Sequence, residues 1–112
     1  MTVECVEMEH APDMTALGFR LHLGGRLLAY SGDTRMCEAL PALAERADTL
    51  VVECGGGRRE SHHMEWDDVF ALRRRLPPST RMLVTHYDHR TAPDVSAVEG
   101  LTLAEDFATY EC

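Results

Sequence analysis

The chain has 112 residues, enough for one domain over residues 1–112 with a modest core, and its 45% of hydrophobic residues is typical of a globular protein in solution. A net charge of −8 disfavours a nucleic-acid partner, and no apolar run reaches the length of a membrane span. The acidic residues that follow Met1 do not read as a signal peptide, so we expect a cytoplasmic protein.

The first predicted elements are a strand and a β-hairpin. Val3–Met8 is rich in residues that favour strands and is followed by His10. From Ala16 to Leu23 apolar and polar residues alternate, which predicts a strand with one apolar face. Gly24-Gly25 is a two-residue hairpin turn, so this strand should pair antiparallel with the apolar segment Leu27–Tyr30.

Helices and strands alternate in the rest of the chain. A helical period runs from Met36 to Ala47, and because proline is tolerated only in a first turn, Pro41 places the regular start near Glu38 or Leu40. The elements after it are a strand at Leu50–Glu53, a flexible loop at Gly55–Gly57 before the basic pair Arg58-Arg59, a helix with Trp66, Val69, Phe70 and Leu76 on one face, a strand at Arg81–Val84, and weaker strands at Leu101–Leu103 and Phe107–Tyr110.

This order predicts an α/β fold in which a β-hairpin is followed by a βαβαβ unit. Crossovers between parallel strands are right-handed, so both helices should cover the same face of the sheet. Three of the strands are apolar towards both faces, and the sequence predicts no third helix. The second face therefore needs a cover, and we expect a sheet-on-sheet homodimer or another partner there.

Groups capable of acid–base chemistry or metal binding follow three predicted strands. The strand at Leu27–Tyr30 runs into Asp33, the next ends at Glu53-Cys54, and the third ends at His86. Ligands bind at the carboxyl edge of such sheets, so three such endings indicate a single site. Its candidate residues are His10, Asp33, Cys54, His62, His63 and His86.

Imidazole and carboxylate groups together suit zinc, which lowers the pKa of a bound water towards neutrality. A histidine at a helix N-terminus, as His63 should be, could protonate a leaving group or bind its oxygens. Ordinary alternatives exist: Asp33 alone could cap a turn, a lone histidine is most often structural, and one of the two adjacent histidines should simply be solvated. The shared edge favours a functional role for Asp33 and His86, and less strongly for His10.

Several segments occur in an informative order, and they are Glu9-His10, Ala16-Leu17-Gly18-Phe19-Arg20, Tyr30-Ser31-Gly32-Asp33-Thr34, Val51-Val52-Glu53-Cys54, His63 before a helix, and Leu83-Val84-Thr85-His86. In this order and spacing they resemble the metallo-β-lactamase-fold hydrolases, most closely the ribonuclease Z-like branch. The resemblance implies half of a metallo-β-lactamase αββα sandwich and, in the complete family site, two zinc ions. It implies that His10 and His86 each ligate one ion and that Asp33 bridges both. It also implies that His63 assists phosphodiester cleavage.

The sequence departs from the family at one motif, His-x-His-x-Asp-His, which it lacks. His86-Tyr87-Asp88-His89 repeats the end of that motif, but Val84 stands where its first histidine should be, so we interpret Asp88 and His89 as loop residues. The chain then corresponds to the C-terminal half of the fold, with His10, Asp33 and His86 as a partial metal site. Catalytic zinc normally has three protein ligands, so two for each ion are too few for activity alone.

The expected function is therefore that of the C-terminal half of a metal-dependent hydrolase, inactive alone, with His63 and Asp33 as catalytic residues. The complete enzyme would cleave a small phosphodiester or other ester. A tRNA substrate is less expected, because no insertion between Arg20 and Asp33 could grip it. A second copy of the chain or a missing N-terminal half would complete the assembly. Two alternatives stay open, a catalytically dead interaction module and a simple metal-binding protein.

Overall fold

A single mixed sheet of six strands organises the protein. The computed structural model describes residues 1–56 and 62–112, so Gly57 of the predicted loop and the pair Arg58-Arg59 lie outside the described residues. The elements are β1 (Thr2–Met8), β2 (Ala16–Leu23), β3 (Arg26–Tyr30), α1 (Ala39–Ala44), β4 (Thr49–Glu53), α2 (Trp66–Arg75), β5 (Arg81–Thr85) and β6 (Leu101–Leu103). The strands lie side by side in chain order, antiparallel from β1 to β3 and parallel from β3 to β6. The predicted hairpin and βαβαβ unit are confirmed.

The turn between β2 and β3 has the chemistry that its hairpin requires. Gly24 and Gly25 have φ values of +54° and +82°, the left-handed region that a type I′ turn needs at both central residues. Glycine takes this conformation without a Cβ clash. The turn fixes the register at the pair Leu23–Arg26, and with it the face that each β2 side chain occupies.

The first helix begins where the sequence predicts, whereas the N-cap of the second lies two residues after the predicted start at His63. The N-cap of α1 is Glu38, which leaves Pro41 in the first turn, where its missing N–H has no helical partner to lose. In α2, the side chain of the N-cap Glu65 accepts from the backbone N–H of Asp68, and the side chain of Asp68 accepts from the N–H of Glu65 at 3.0 Å. Among the described helices, none is long and apolar enough to cross a bilayer.

The last turn of α2 is fixed by a buried arginine. The guanidinium of Arg73 donates to the carbonyls of Thr80 and Gly100 and to those of Leu76 and Pro77, which follow the helix. Burial lowers the pKa of Arg73, but four carbonyl acceptors and the nearby Glu99 support the charged form. The basic run that ends α2 therefore includes a structural group that joins the helix to the starts of β5 and β6.

One face of the sheet, called here the helix face, carries the core. Its buried residues are Ala29 of β3, Leu50 and Val52 of β4, Met82 and Val84 of β5, Leu101 of β6, Leu40 and Leu43 of α1, and Val69 and Leu72 of α2. The sheet residues in this set alternate along each strand, so α1 and α2 cover the same side of the sheet. This agrees with two right-handed crossovers.

On the helix face, β2 presents a glycine and an arginine to α1. A Cβ on Gly18 would lie 3.1 Å from Cδ2 of Leu43, so glycine lets the helix pack closely on the strand. Arg20 Nη1 donates to the carbonyls of Leu43 at 2.7 Å, Glu45 at 3.0 Å and Ala42 at 3.1 Å. These bonds satisfy carbonyls at the C-terminus of α1 that no further helical turn could use.

The opposite face, called here the open face, carries the alternating apolar stripe of β2. Pairing in register places on it Val3, Cys5, Leu17, Phe19, Leu21, Leu23, Leu28, Tyr30, Val51 and Leu83. The exposed fractions of Val3, Leu17 and Tyr30 lie between 40% and 46%. Within residues 1–56 and 62–112 neither helix lies on this side, although Leu83 is only 5% exposed, and a hydrogen bond from Arg81 to the carbonyl of Glu111 joins the C-terminal segment to this face.

The predicted strand at Phe107–Tyr110 is wrong. Phe107 has a φ of +64°, which is incompatible with extended backbone, and the N–H of Ala108 donates to the carbonyl of Glu105 to close a turn. The hydroxyl of Tyr110 accepts from the N–H of Glu105 and holds the turn together. The apolar content of this segment suggested a strand, but Phe107 is fully exposed.

Candidate functional site

The first pair of the site joins the ends of two strands that are not neighbours. Asp33 follows β3 and His86 follows β5, and β4 lies between these two strands in the sheet. Both side chains are about half exposed. His86 Nδ1 donates to Asp33 Oδ1 at 3.1 Å. His86 has a φ of +53°, a conformation that non-glycine residues seldom adopt and that is common at functional sites. The turn after β5 therefore holds His86 in a strained backbone geometry against Asp33.

A buried carboxylate lies beneath this pair. Glu53, the last residue of β4, is 2% exposed and accepts from the backbone N–H groups of Thr34 at 3.0 Å and Gly55 at 2.6 Å. His63 Nδ1 donates to the same carboxylate at 2.6 Å. These donors compensate the cost of burying a charge. Glu53 thereby fixes the position of the His63 ring and ties it to the segment that carries Asp33.

Three imidazoles stand in a row along the edge. The ring centroid of His63 lies 4.8 Å from that of His10 and 5.2 Å from that of His86, with edge-to-face geometry in both cases. His10 Nδ1 donates to the carbonyl of His62 at 2.8 Å, which anchors the loop after β1 to the segment before α2. The sequence-predicted residues His10, Asp33, His63 and His86 thus lie at one edge of the sheet.

Glycine makes the close approach of two of these rings possible. A Cβ on Gly55 would lie 3.0 Å from His63 Nδ1 and 3.3 Å from Cε1 of His86. On Gly56 it would lie 2.5 Å from the carbonyl oxygen of Met64, whose backbone accepts from the N–H of Gly56. The described part of the glycine loop is therefore closely packed against the site.

Other predicted candidates lie elsewhere. Cys54 is buried in the core, and burial together with the neighbouring Glu53 raises the pKa of its thiol to about 12, which makes it a poor metal ligand. The side chain of His62 is exposed, its backbone carbonyl accepts from His10, and its ring lies edge-to-face to the His10 ring with a centroid distance of 6.3 Å. The interpretation of Asp88 and His89 as loop residues is confirmed, since Asp88 pairs with Arg90 and His89 packs on Tyr87.

The sequence predicts His63 at the N-terminus of a helix, and this prediction is wrong. The N-cap of α2 is Glu65, so His63 lies two residues before it and outside the first turn. The helix dipole acts within the first turn, and the group that positions His63 is instead the carboxylate of Glu53. From the sequence, Glu53 is a polar residue at a strand end without an assigned role. Glu53 lies two residues after Val51, so its side chain is on the open face and not in the core between sheet and helices. This alternation along β4 is the sequence signal that could have identified Glu53 as a site residue.

The described residues offer one compact group of metal-binding atoms. One nitrogen or oxygen each from Asp33, Glu53, His63 and His86 all lie within 4.8 Å of one another. Imidazole nitrogen and carboxylate oxygen are the donors that zinc takes in catalytic sites, so the residues fit such an ion. Because the oxygens of Glu53 already accept three hydrogen bonds, we assign it to positioning, as carboxylates behind metal-site histidines commonly act.

The model of one protein family, described as the beta-lactamase superfamily domain, matches residues 1–87. Among curated proteins, the chain is 33% identical over 102 residues to a ribonuclease Z from Methanosarcina mazei, a match that covers 78% of this chain and 33% of that protein. The chain therefore spans about one third of the length of this relative.

Two solved structures have a similar backbone. The metallo-beta-lactamase fold protein YhfI from Bacillus subtilis aligns with a TM-score of 0.71 and 18% identity, over 92% of this chain and 46% of that chain. The short form of human tRNase Z aligns with a TM-score of 0.69 and 21% identity, over 95% of this chain and 41% of that one. At these identities the two structures establish the fold, an α/β metallo-β-lactamase fold.

Proposed function

The chain belongs to the metallo-β-lactamase-fold superfamily, in its ribonuclease Z-like branch, and from that premise we propose that it forms part of a metal-dependent hydrolase that cleaves phosphodiester bonds. The observation that carries this proposal is the convergence of Asp33, His63 and His86 at one sheet edge, with His10 beside them. Superfamily members are hydrolases, and the ribonuclease Z relative is named for cleavage of RNA.

In this proposal the chain's own residues hold metal and substrate. Asp33, His86 and His10 would be the residues that hold the zinc. Zinc supplies Lewis acidity and a lowered pKa for water at the scissile bond. His63, oriented by the Glu53 carboxylate at 2.6 Å, donates a proton to the leaving oxygen or stabilises its charge. The half-exposed Asp33 and His86 leave the substrate side of this edge accessible.

The ligand count makes the chain inactive alone. Within the described residues, each ion would receive two of the three protein ligands that catalytic zinc normally has. The open face adjoins the same edge, since Glu53 shares its phase on β4 with Val51. We propose that a second copy of the chain, or a complementary half of the fold, covers the open face and supplies the remaining ligands.

Metal titration with matched variants tests the site. Titrating the protein with Zn²⁺ in a calorimeter should give weak binding, and Asp33→Asn should weaken it by about tenfold, since a carboxylate ligand loses its charge. Asp106→Asn removes an exposed carboxylate in the C-terminal segment and should leave zinc binding unchanged. Equal zinc affinity in the Asp33→Asn variant would overturn the assignment.

An activity assay tests the ligand count separately. The purified chain should not hydrolyse an activated phosphodiester above the buffer rate, with or without zinc. Turnover that a chelator abolishes would show that the site is complete within the chain or its oligomer. In that case, His63→Ala should lower the rate by at least about a hundredfold if this residue is the general acid.

The open face supports a second candidate function, that of an interaction module without catalysis. Contiguous apolar surface of several hundred Å² is uncommon on soluble monomers and marks interaction sites. This function requires no metal and no exposed Asp33–His86 pair. The zinc titration separates the two candidates, because a pure interaction module has no zinc binding that depends on Asp33.

A further inference from the structure

We propose that the protein has a second ligand site at the opposite end of the sheet, which binds a phosphate group. The site is a cavity of about 320 Å³ whose polar lining is Arg20, His22, Arg26, Arg46 and Asp48, called here the arginine pocket. Arg26 begins β3, whereas Asp33 follows its end, so about 16 Å of strand separates the two sites at about 3.3 Å per residue. This inference does not depend on the metal-site proposal.

The pocket concentrates positive charge on an acidic protein. Three guanidinium groups line it against two carboxylates, that of Asp48 in the lining and that of Glu4, which pairs with Arg20 and His22, although the whole chain carries a net charge of −8. The carboxylate of Asp48 is already used, because Oδ2 accepts from the N–H of Leu27 at 2.8 Å and Oδ1 lies 3.6 Å from Arg26 Nε. Asp48 therefore fixes the wall of the cavity and leaves the pocket cationic, which favours an anionic ligand.

Arg20 offers a rigid donor in the wall. Its Nη1 is held by three carbonyls of α1 and the residues after it, and its Nε is paired with Glu4 at 3.2 Å. Among the residues that the structure describes, no acceptor is bonded to Nη2. The side chain is 17% exposed and its position is fixed by packing and hydrogen bonds. An anion could bind this nitrogen without first ordering the arginine, which lowers the entropic cost of binding.

Arg46 occupies a backbone position that favours glycine. It follows the C-cap of α1 with a φ of +60°, the left-handed conformation that glycine usually provides at this place. Its exposed side chain has no hydrogen-bond or ion-pair partner within the described ranges. Arg46 thus lines the pocket without a partner and in an unfavourable backbone conformation. Binding of a ligand by its guanidinium would explain why an arginine occupies this position.

Phosphate is the ligand chemistry that fits best. Planar guanidinium groups bind phosphate through paired N–H donors, more strongly than they bind neutral acceptors. The cavity lies at the lower end of the size range of small-molecule sites, which suits one phosphate and its attached sugar or alkyl group. The phosphate could belong to a free phosphorylated metabolite or to the backbone of an RNA strand, and the test separates these sources.

The test uses Arg46→Gly, which removes the charge and relieves the backbone. If Arg46 had only a structural role, glycine would be neutral or stabilising, because φ is positive there. We expect the variant to fold at least as stably as the parent but to bind inorganic phosphate about tenfold more weakly, as loss of a charged hydrogen bond predicts. Phosphate binding is followed by NMR at constant ionic strength, with the amide signals of Arg46 and His22 as reporters.

Arg74→Gln is the matched control, since Arg74 is exposed on α2 and lies outside the pocket. It should bind phosphate like the parent. Unchanged affinity in Arg46→Gly, equal weakening in Arg74→Gln, or shifts confined to the Asp33 edge would each overturn the proposal.

A second titration identifies the source. If the phosphate belongs to RNA, a short single-stranded RNA binds more tightly than a ribonucleoside monophosphate, and Arg46→Gly lowers the salt dependence of log K by about 0.7. If it belongs to a metabolite, the monophosphate binds as tightly as the RNA and carries the whole effect of the variant. Either result supports a phosphate site, and neither requires zinc.

Discussion

The two faces of the sheet use apolar side chains for different purposes. On the helix face, Leu50 and Val52 are fully buried beneath α1 and α2. To this face β2 contributes only small and polar residues, which are Ala16, Gly18, Arg20 and His22. The alternating apolar stripe of β2 lies on the open face, away from both helices. The strongest amphipathic pattern in this chain therefore lies on a surface that can bind a partner, and not in the core of the chain.

The energetic weight of that surface is considerable. At about 25 cal/mol per Å², covering an apolar patch of a few hundred Å² contributes several kcal/mol, comparable with the stability of a small domain. The helix face accounts for the stability of the chain itself. The open face should instead control association, and the following predictions test this division.

The largest expected effect concerns association through the open face. The wild-type protein should exceed the monomer mass in light scattering at micromolar concentration, and Phe19→Glu should return it to a monomer because a buried charge opposes the contact. Phe107→Glu makes the same substitution at a fully exposed residue outside this face and should not change the mass. A monomeric wild type that binds no hydrophobic dye would contradict this use of the open face.

A matched pair of valines on β4 compares the faces by stability. Val52 is fully buried on the helix face and Val51 is partly exposed on the open face. In a monomeric background, Val52→Ala should lower the free energy of unfolding by about 2 kcal/mol and Val51→Ala by less than about 1 kcal/mol. Urea denaturation measures both. Equal losses would mean that the open face is already covered.

A single methyl group tests the packing of the site. Gly55→Ala places a Cβ between the rings of His63 and His86, at 3.0 Å and 3.3 Å from their nearest atoms. We expect zinc affinity to fall by about tenfold, or about 1.4 kcal/mol, since both rings must move apart. Unfolding should change little, because the loop is at the surface. Calorimetry and urea denaturation separate these effects, and unchanged zinc affinity would show that the spacing is not critical.

The smallest effect concerns thiol reactivity. Burial raises the pKa of Cys54 to about 12, so raising the pH to about 8.5 should not activate it towards alkylation in the folded protein. Exposed Cys5 and Cys112 should react at that pH. Since Cys5 lies on the open face, association should protect it and leave Cys112 reactive. Mass spectrometry of alkylated peptides distinguishes these cysteines, and equal rates for Cys5 and Cys112 in an associated sample would argue against a contact there.

Most of the fold could be predicted from the sequence because local rules agree with one another. The alternation of apolar and polar residues predicts β2, and Gly24-Gly25 predicts the hairpin that follows it. Pro41 predicts where α1 starts. The strand prediction at Phe107–Tyr110 fails because of tertiary structure. Phe107 has a left-handed backbone conformation there, and the Tyr110 hydroxyl accepts a hydrogen bond that closes a turn in place of strand pairing. Apolar content alone carries no information about such a turn.

The sequence predicts most residues of the candidate site but not the contacts between them. Strand ends identify which residues reach the edge, so Asp33 and His86 could be paired before the structure was known. The bond between His63 and Glu53 depends on how the segment before α2 returns to β4, which no spacing rule specifies. Cys54 and Glu53 are adjacent in sequence, and only the phase of β4 decides which one lies at the site.

The order of the strands has a consequence for how the protein forms during synthesis. Because the sheet runs from β1 to β6 in chain order, each strand from β2 onwards can pair with a neighbour that has already been synthesised. Pairing can therefore advance from β1 towards β6, one strand at a time. Asp33 is synthesised early and His86 late, so the site closes only when β5 docks on β4. We therefore expect the site to assemble late in folding.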